Sequence, residues 1–74
     1  MNEKALEEFY LEHLEEDIVF CLAERRKIPA EDAMRLYYSG NLCDRIHDGE
    51  YGIQYLDYRV LTDYLEEELQ EKPA

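Results

Sequence analysis

Apolar side chains recur at steps of three and four near both ends of this chain. The first series is Phe9 or Tyr10, Leu14, Ile18 and Cys21 or Leu22, and the second is Leu56, Val60, Leu61, Tyr64, Leu65 and Leu69. That period gathers each series on one face of an α-helix and does not match the two-residue alternation of a half-buried strand. Between the two series, Pro29, Ser39-Gly40 and Asp48-Gly49 mark three turns. The pattern predicts an all-α fold, a small orthogonal helical bundle forming a single domain over residues 1–74. Two longer terminal helices, at about 2–26 and 55–71, bracket two short ones at about 29–38 and 41–48.

Local chemistry supports these limits. Asn2 is a candidate cap for the first helix, whose early turns carry Glu3, Glu7 and Glu8 and whose last turn carries Arg25 and Arg26, followed by Lys27. The helix dipole favours that order of sign. Pro29 disfavours helical geometry at Ile28 and is preset for the first turn of a second helix. That helix is expected to bury Ala33 and Leu36 or Tyr37, with Met34 as a filler, and to end where Gly40 takes a left-handed cap. Asn41 is placed to cap the third helix, which carries Leu42, Cys43 and Ile46 and stops at Gly49. Tyr51, Ile53 and Tyr55 alternate, but one short segment without a partner strand makes no sheet, so residues 51–55 are read as a packed loop. Pro73 lies beyond the last helix.

The net charge of −11 is unevenly placed. Residues 1–24 hold eight acids against Lys4, residues 25–59 hold six acids and six bases, and residues 60–74 hold five acids against Lys72. Acidic ends repel phosphate backbones and anionic lipid and attract basic surfaces. This argues against direct nucleic-acid binding, and it leaves solvated helix faces or a docking surface for a basic partner. A chain this short rarely buries a core worth more than about 3–5 kcal/mol, so self-association is a natural source of extra stability.

The opening Met1-Asn2-Glu3-Lys4 leads into acid rather than a basic, apolar signal region, and the two cysteines, Cys21 and Cys43, allow at most one internal bridge. The expected setting is cytoplasmic, with reduced thiols. The longest apolar run, Ile18 to Ala23, has six residues, too few to span a bilayer.

Motifs for chemistry are sparse. His13 with Glu16 and Asp17, and Asp44 with His47, are spaced to share a helix face, yet no paired Cys or His motif of a structural zinc site accompanies them. No metal or other cofactor is expected. Cys21 lies within an apolar stretch and reads as a small core residue, whereas Cys43 sits at a helix start. Without a nucleophile motif, a phosphate-cradling glycine loop or an HExxH sequence, no catalytic residue is assigned and no enzyme is expected. The glutamates fall in runs that read as exposed. Residues 30–48 resemble a helix-turn-helix, which gives an alternative reading as a DNA-associated transcriptional regulator. The second helix of that unit offers Arg45 against Asp44 and Asp48, a poor phosphate-binding set.

Seven of the nine aromatic residues are tyrosines, more than so small a core can enclose. Tyrosine gives large contact area at low entropic cost. Tyr37 and Tyr38, adjacent on a helix, cannot both face inward, and Tyr51, Tyr55 and Tyr58 cluster about a loop and a helix start. These five are the candidate protein-contact residues.

The stretch Ile18-Val19-Phe20-Cys21-Leu22, the helix ending in Tyr37-Tyr38 and the Ile46-His47 pair before a glycine-containing loop together resemble a family of short, uncharacterised bacterial helical proteins often encoded beside toxin-like genes. The likeness spans residues 17–66. In that family an acidic-aromatic segment follows the cysteine, where this chain has Glu24-Arg25-Arg26. The resemblance implies an antitoxin-like or accessory role and carries over no catalytic residue. The expected function is protein–protein contact, as a homodimer or as the acidic partner of a basic protein.

Overall fold

The computed structural model describes residues 3–71. They form four α-helices and a 3₁₀ turn, with no strand among the described residues: α1 (Glu3–Arg26), α2 (Ala30–Ser39), α3 (Leu42–Asp48), the turn Glu50–Tyr55, and α4 (Tyr58–Glu71). The all-α bundle follows the sequence pattern, and α2 and α3 begin and end within a residue of expectation. Asn2 and Pro73 lie outside the described residues. At about 1.5 Å per residue α1 alone is about 36 Å long, which sets the longest of the 44 × 23 × 18 Å dimensions. α2 and α4 pack against α1, and α3 joins α2, α4 and the 3₁₀ turn.

One core holds the helices together. It consists of Leu11, Leu14, Ile18, Val19 and Leu22 from α1, Ala33 and Tyr37 from α2, Leu42 and Ile46 from α3, Ile53 from the turn, and Leu61 and Leu65 from α4. The inward place given to Phe9 or Tyr10 falls to Leu11, and both aromatics are exposed. The geometry explains the change for Phe9: at about 100° per residue it lies about 140° round the helix from Leu14, whereas Leu11 lies one turn away on the same face. Met34 is exposed rather than a filler, Leu56 and Val60 lie at the surface, and Thr62 is buried instead. Thr62 meets the requirement for a buried hydroxyl by donating to the Tyr58 carbonyl of the preceding turn at 2.7 Å.

Gly40 does not take the expected left-handed cap. Its backbone is extended, at φ −95° and ψ −175°, and its small size serves a close approach: a Cβ there would lie 2.6 Å from Glu68 Oε2. That carboxylate accepts the Asn41 backbone N–H at 2.9 Å, so a glutamate of α4 caps the start of α3 while the Asn41 side chain makes no cap bond. Gly49 is the left-handed residue, at φ 69°, and it ends α3 as expected. The packed loop over residues 51–55 is a 3₁₀ turn in which Tyr51 and Gly52 carry positive φ.

α4 starts at Tyr58, later than expected, because Asp57 is its cap. The Asp57 carboxylate accepts the Arg59 backbone N–H at 2.8 Å and the Arg59 guanidinium at 3.1 Å. The Arg59 hydrogen bonds hold the Asp57 carboxyl down to about 2. A carboxyl lowered in the folded state adds stability above its ordinary value, and that stability is lost as pH falls through the folded value. Between 3.8 and about 2, the melting temperature of the wild type is expected to fall faster than that of Asp57→Asn, which keeps a capping side chain without the charge. Thermal melts followed by circular dichroism read the difference.

The opposite ends of the charge pattern meet. Arg25 bonds Asp63 at 2.6 Å and Glu66 at 3.3 Å, and Arg26 bonds Glu66 at 3.2 Å. Such partly exposed pairs contribute about 0–1 kcal/mol each; here they join the end of α1 to α4 beside the shared core. Among the described residues no helix is long and apolar enough to cross a membrane.

Candidate functional site

One carboxylate sits where three helices meet. Glu15 lies on the ladder Leu11, Glu15, Val19 of α1, so the fold carries it to the edge of the core, with 12% of its side chain exposed. Its Oε2 accepts the Tyr37 hydroxyl of α2 at 2.6 Å and the Cys43 thiol of α3 at 3.5 Å. The same oxygen lies 3.0 Å from His47 Nε2, one turn further along α3. The expectation that the glutamates lie in exposed runs fails here. The metal-like pairs read from sequence are not the ones assembled: His13 and Glu16 form only a loose surface pair at 3.9 Å, and the partner of His47 on its own helix is Cys43 rather than Asp44.

The chemistry of this cluster is polarised. Burial pushes the Tyr37 hydroxyl well above its ordinary value, and the hydrogen bond to Glu15 adds to the effect. Burial also raises the Cys43 thiol, the Tyr37 hydrogen bond opposes that, and the Glu15 charge reinforces it. A catalytic cysteine needs the opposite environment, one that draws the proton off sulfur. The Tyr37 and Cys43 hydrogens stay on their own oxygen and sulfur, and the bonds they make to Glu15 tie α2 and α3 to α1.

Glu15 also borders an open groove between α1 and α2. Glu12, Glu16 and Phe20 follow one another at i, i+4, i+8 along α1, and Ala30, Met34 and Tyr38 do so along α2; the two ladders form its walls. Phe20, Met34 and Tyr38 are 58%, 47% and 57% exposed, and Val19 closes the floor. The result is an apolar trough rimmed by Glu12, Glu15 and Glu16. Amphipathic helices dock into apolar grooves in general, and methionine adapts to irregular contacts.

The five tyrosines read from sequence separate in space. Tyr37 is completely buried and belongs to the core, so its hydroxyl serves Glu15 rather than a partner. Tyr38 lines the groove, its ring edge-on to that of Tyr37 with centroids 5.0 Å apart. Tyr51 is 92% exposed at the turn. Tyr55 lies beside Tyr10, ring centroids 5.9 Å apart, and together with Tyr58 these two line a shallow second hollow. Tyr10 also anchors the turn by donating to the Gln54 carbonyl at 3.0 Å. Phe20 and Met34 were missed as surface residues. The signal for Phe20 was present, since it lies about 200° round the helix from Ile18 and cannot share its face.

Compared with family models, curated proteins and solved structures, the chain matches none of them.

Proposed function

We propose that this chain is a cytoplasmic binding module, not an enzyme, that takes a basic amphipathic helix of another protein into the α1–α2 groove. The observation that carries the reading is the pairing of an exposed apolar trough with a carboxylate rim. Phe20, Met34 and Tyr38 receive the apolar stripe, and Glu12 and Glu16 meet flanking lysines or arginines. The rim favours a basic partner over a second copy of the chain. Two copies joined through this face would set like charges against each other, which costs affinity, whereas a basic partner gains from the same charges. An antitoxin-like or accessory role fits an acidic protein that covers a basic one.

The test uses the immobilised chain in extract of its own cells at low and high salt, beside the Phe20→Ser/Met34→Ser double variant. Both substituted side chains are exposed, so the variant is expected to keep its helical circular dichroism. The expected result is a basic protein held by the wild type, released by salt and lost with the double variant. Equal capture by both chains rules out the groove. Retention of DNA in place of protein would support the helix-turn-helix reading, and a stable dimer of the chain alone would make the trough a self-interface.

A further inference from the structure

The Glu15 cluster has the donor set of a transition-metal site. Glu15 Oε2, Cys43 Sγ and a ring nitrogen of His47 lie within 4.8 Å of one another. Cys43 and His47 are four residues apart on α3, so both project from one face of one helix, and Glu15 approaches from α1. A tetrahedral zinc ion with ordinary bond lengths spaces its ligands by about 3.3 Å for an oxygen–nitrogen pair and about 3.5 Å for an oxygen–sulfur pair. The corresponding separations are 3.0 Å for Glu15 to His47 and 3.5 Å for Glu15 to Cys43. Cys43 Sγ and the His47 nitrogen, within 4.8 Å of each other, form the pair that side-chain rotation has to bring to about 3.5 Å for a metal to replace the shared hydrogens. Tyr37 then plays a positioning part, because its hydroxyl donates to the ligating carboxylate, the kind of outer contact that orients metal ligands.

We propose that Glu15, Cys43 and His47 bind one zinc-class divalent ion. One sulfur, one nitrogen and one oxygen favour a borderline-soft ion over magnesium or calcium, which prefer all-oxygen sites. Binding forms bonds from the metal to Cys43 Sγ, His47 Nε2 and Glu15 Oε2. The thiol proton leaves to solvent, the histidine keeps its remaining proton on Nδ1, and the fourth position takes water. The ion would tie α1 to α3 and fix the wall of the neighbouring groove. The site shares Glu15 with the groove rim, but its test reads a bound metal rather than a bound protein, so either reading can fail alone.

Cobalt(II) chloride serves as the probe, added to the purified full chain in a reductant that does not bind metal. The expected result is one cobalt per chain, with the visible bands of a tetrahedral ion, a near-ultraviolet thiolate-to-cobalt band, and displacement of both by zinc. Cys43→Ser should abolish the thiolate band and His47→Gln should weaken binding by more than about tenfold, while Cys21→Ser changes neither. Tyr37→Phe should weaken binding by about 10–100-fold, as loss of an outer hydrogen bond to a ligand does. Circular dichroism of each variant separates loss of the site from loss of the fold. Absence of a thiolate band in the folded wild type overturns the proposal, as does a band that survives Cys43→Ser or disappears with Cys21→Ser.

Discussion

Replacing Tyr37 with alanine should leave the chain largely unfolded. The ring is completely buried at the meeting of α1, α2 and α3, and removing a large buried aromatic costs about 3–5 kcal/mol. A domain of this size has about that much stability in total. Tyr37→Phe separates packing from hydrogen bonding. It keeps the ring and deletes the hydroxyl that donates to Glu15 at 2.6 Å, a bond to a charged group worth about 1.5–3 kcal/mol. Urea titration should therefore show a folded, weakened Tyr37→Phe and little or no folded baseline for Tyr37→Ala. A melt of Tyr37→Ala that overlays the wild type would contradict the core assignment.

Leu22→Ala should come next in severity, with a loss of about 2–5 kcal/mol. Leu22 is fully buried in the α1 stripe, and the cavity left behind opens into a core that has few residues with which to refill it. Phe9→Ala is the contrast. Phenylalanine is the larger side chain, yet Phe9 is 61% exposed, so its removal should shift the urea midpoint little. The two variants together decide whether the buried face of α1 begins at Leu11 or at Phe9. If Phe9→Ala is the more destabilising of the pair, the assigned face is wrong.

The helices and most of their ends were legible in the sequence because the signals are local. Apolar spacing, Pro29 and Gly49 act within a turn or two of themselves. The sequence misread the places where a distant residue decides. Gly40 is extended, with a Glu68 carboxylate from another helix lying against it, and α3 begins on that same carboxylate rather than on an asparagine side chain. The start of α4 was a different case: the Asp57 cap was present locally, but Leu56 continued the apolar series and drew the boundary forward.

The site was less legible than the fold. Glu15 looks like one more glutamate in an acidic helix, and only its place on the ladder Leu11, Glu15, Val19 marks it as a residue at the edge of the core. Cys43 and His47 are four residues apart, which places them on one face, but nothing in the sequence says that α1 brings Glu15 to that face. Among the tyrosines, adjacency correctly predicted that Tyr37 and Tyr38 divide between inside and outside. It did not predict that the apolar surface beside Tyr38 is completed by Phe20 and Met34, which come from separate helices.

The α1–α2 groove, rather than the tyrosines about the 3₁₀ turn, is the surface proposed to receive a basic helix. Hydroxyl-radical footprinting of the chain, alone and bound to the protein it captures at low salt, tests this side chain by side chain. Phe20, Met34 and Tyr38 should lose reactivity on binding while Tyr51 and Tyr55 remain as reactive as in the free chain. Protection at Tyr51 and Tyr55 with the groove left open would contradict it.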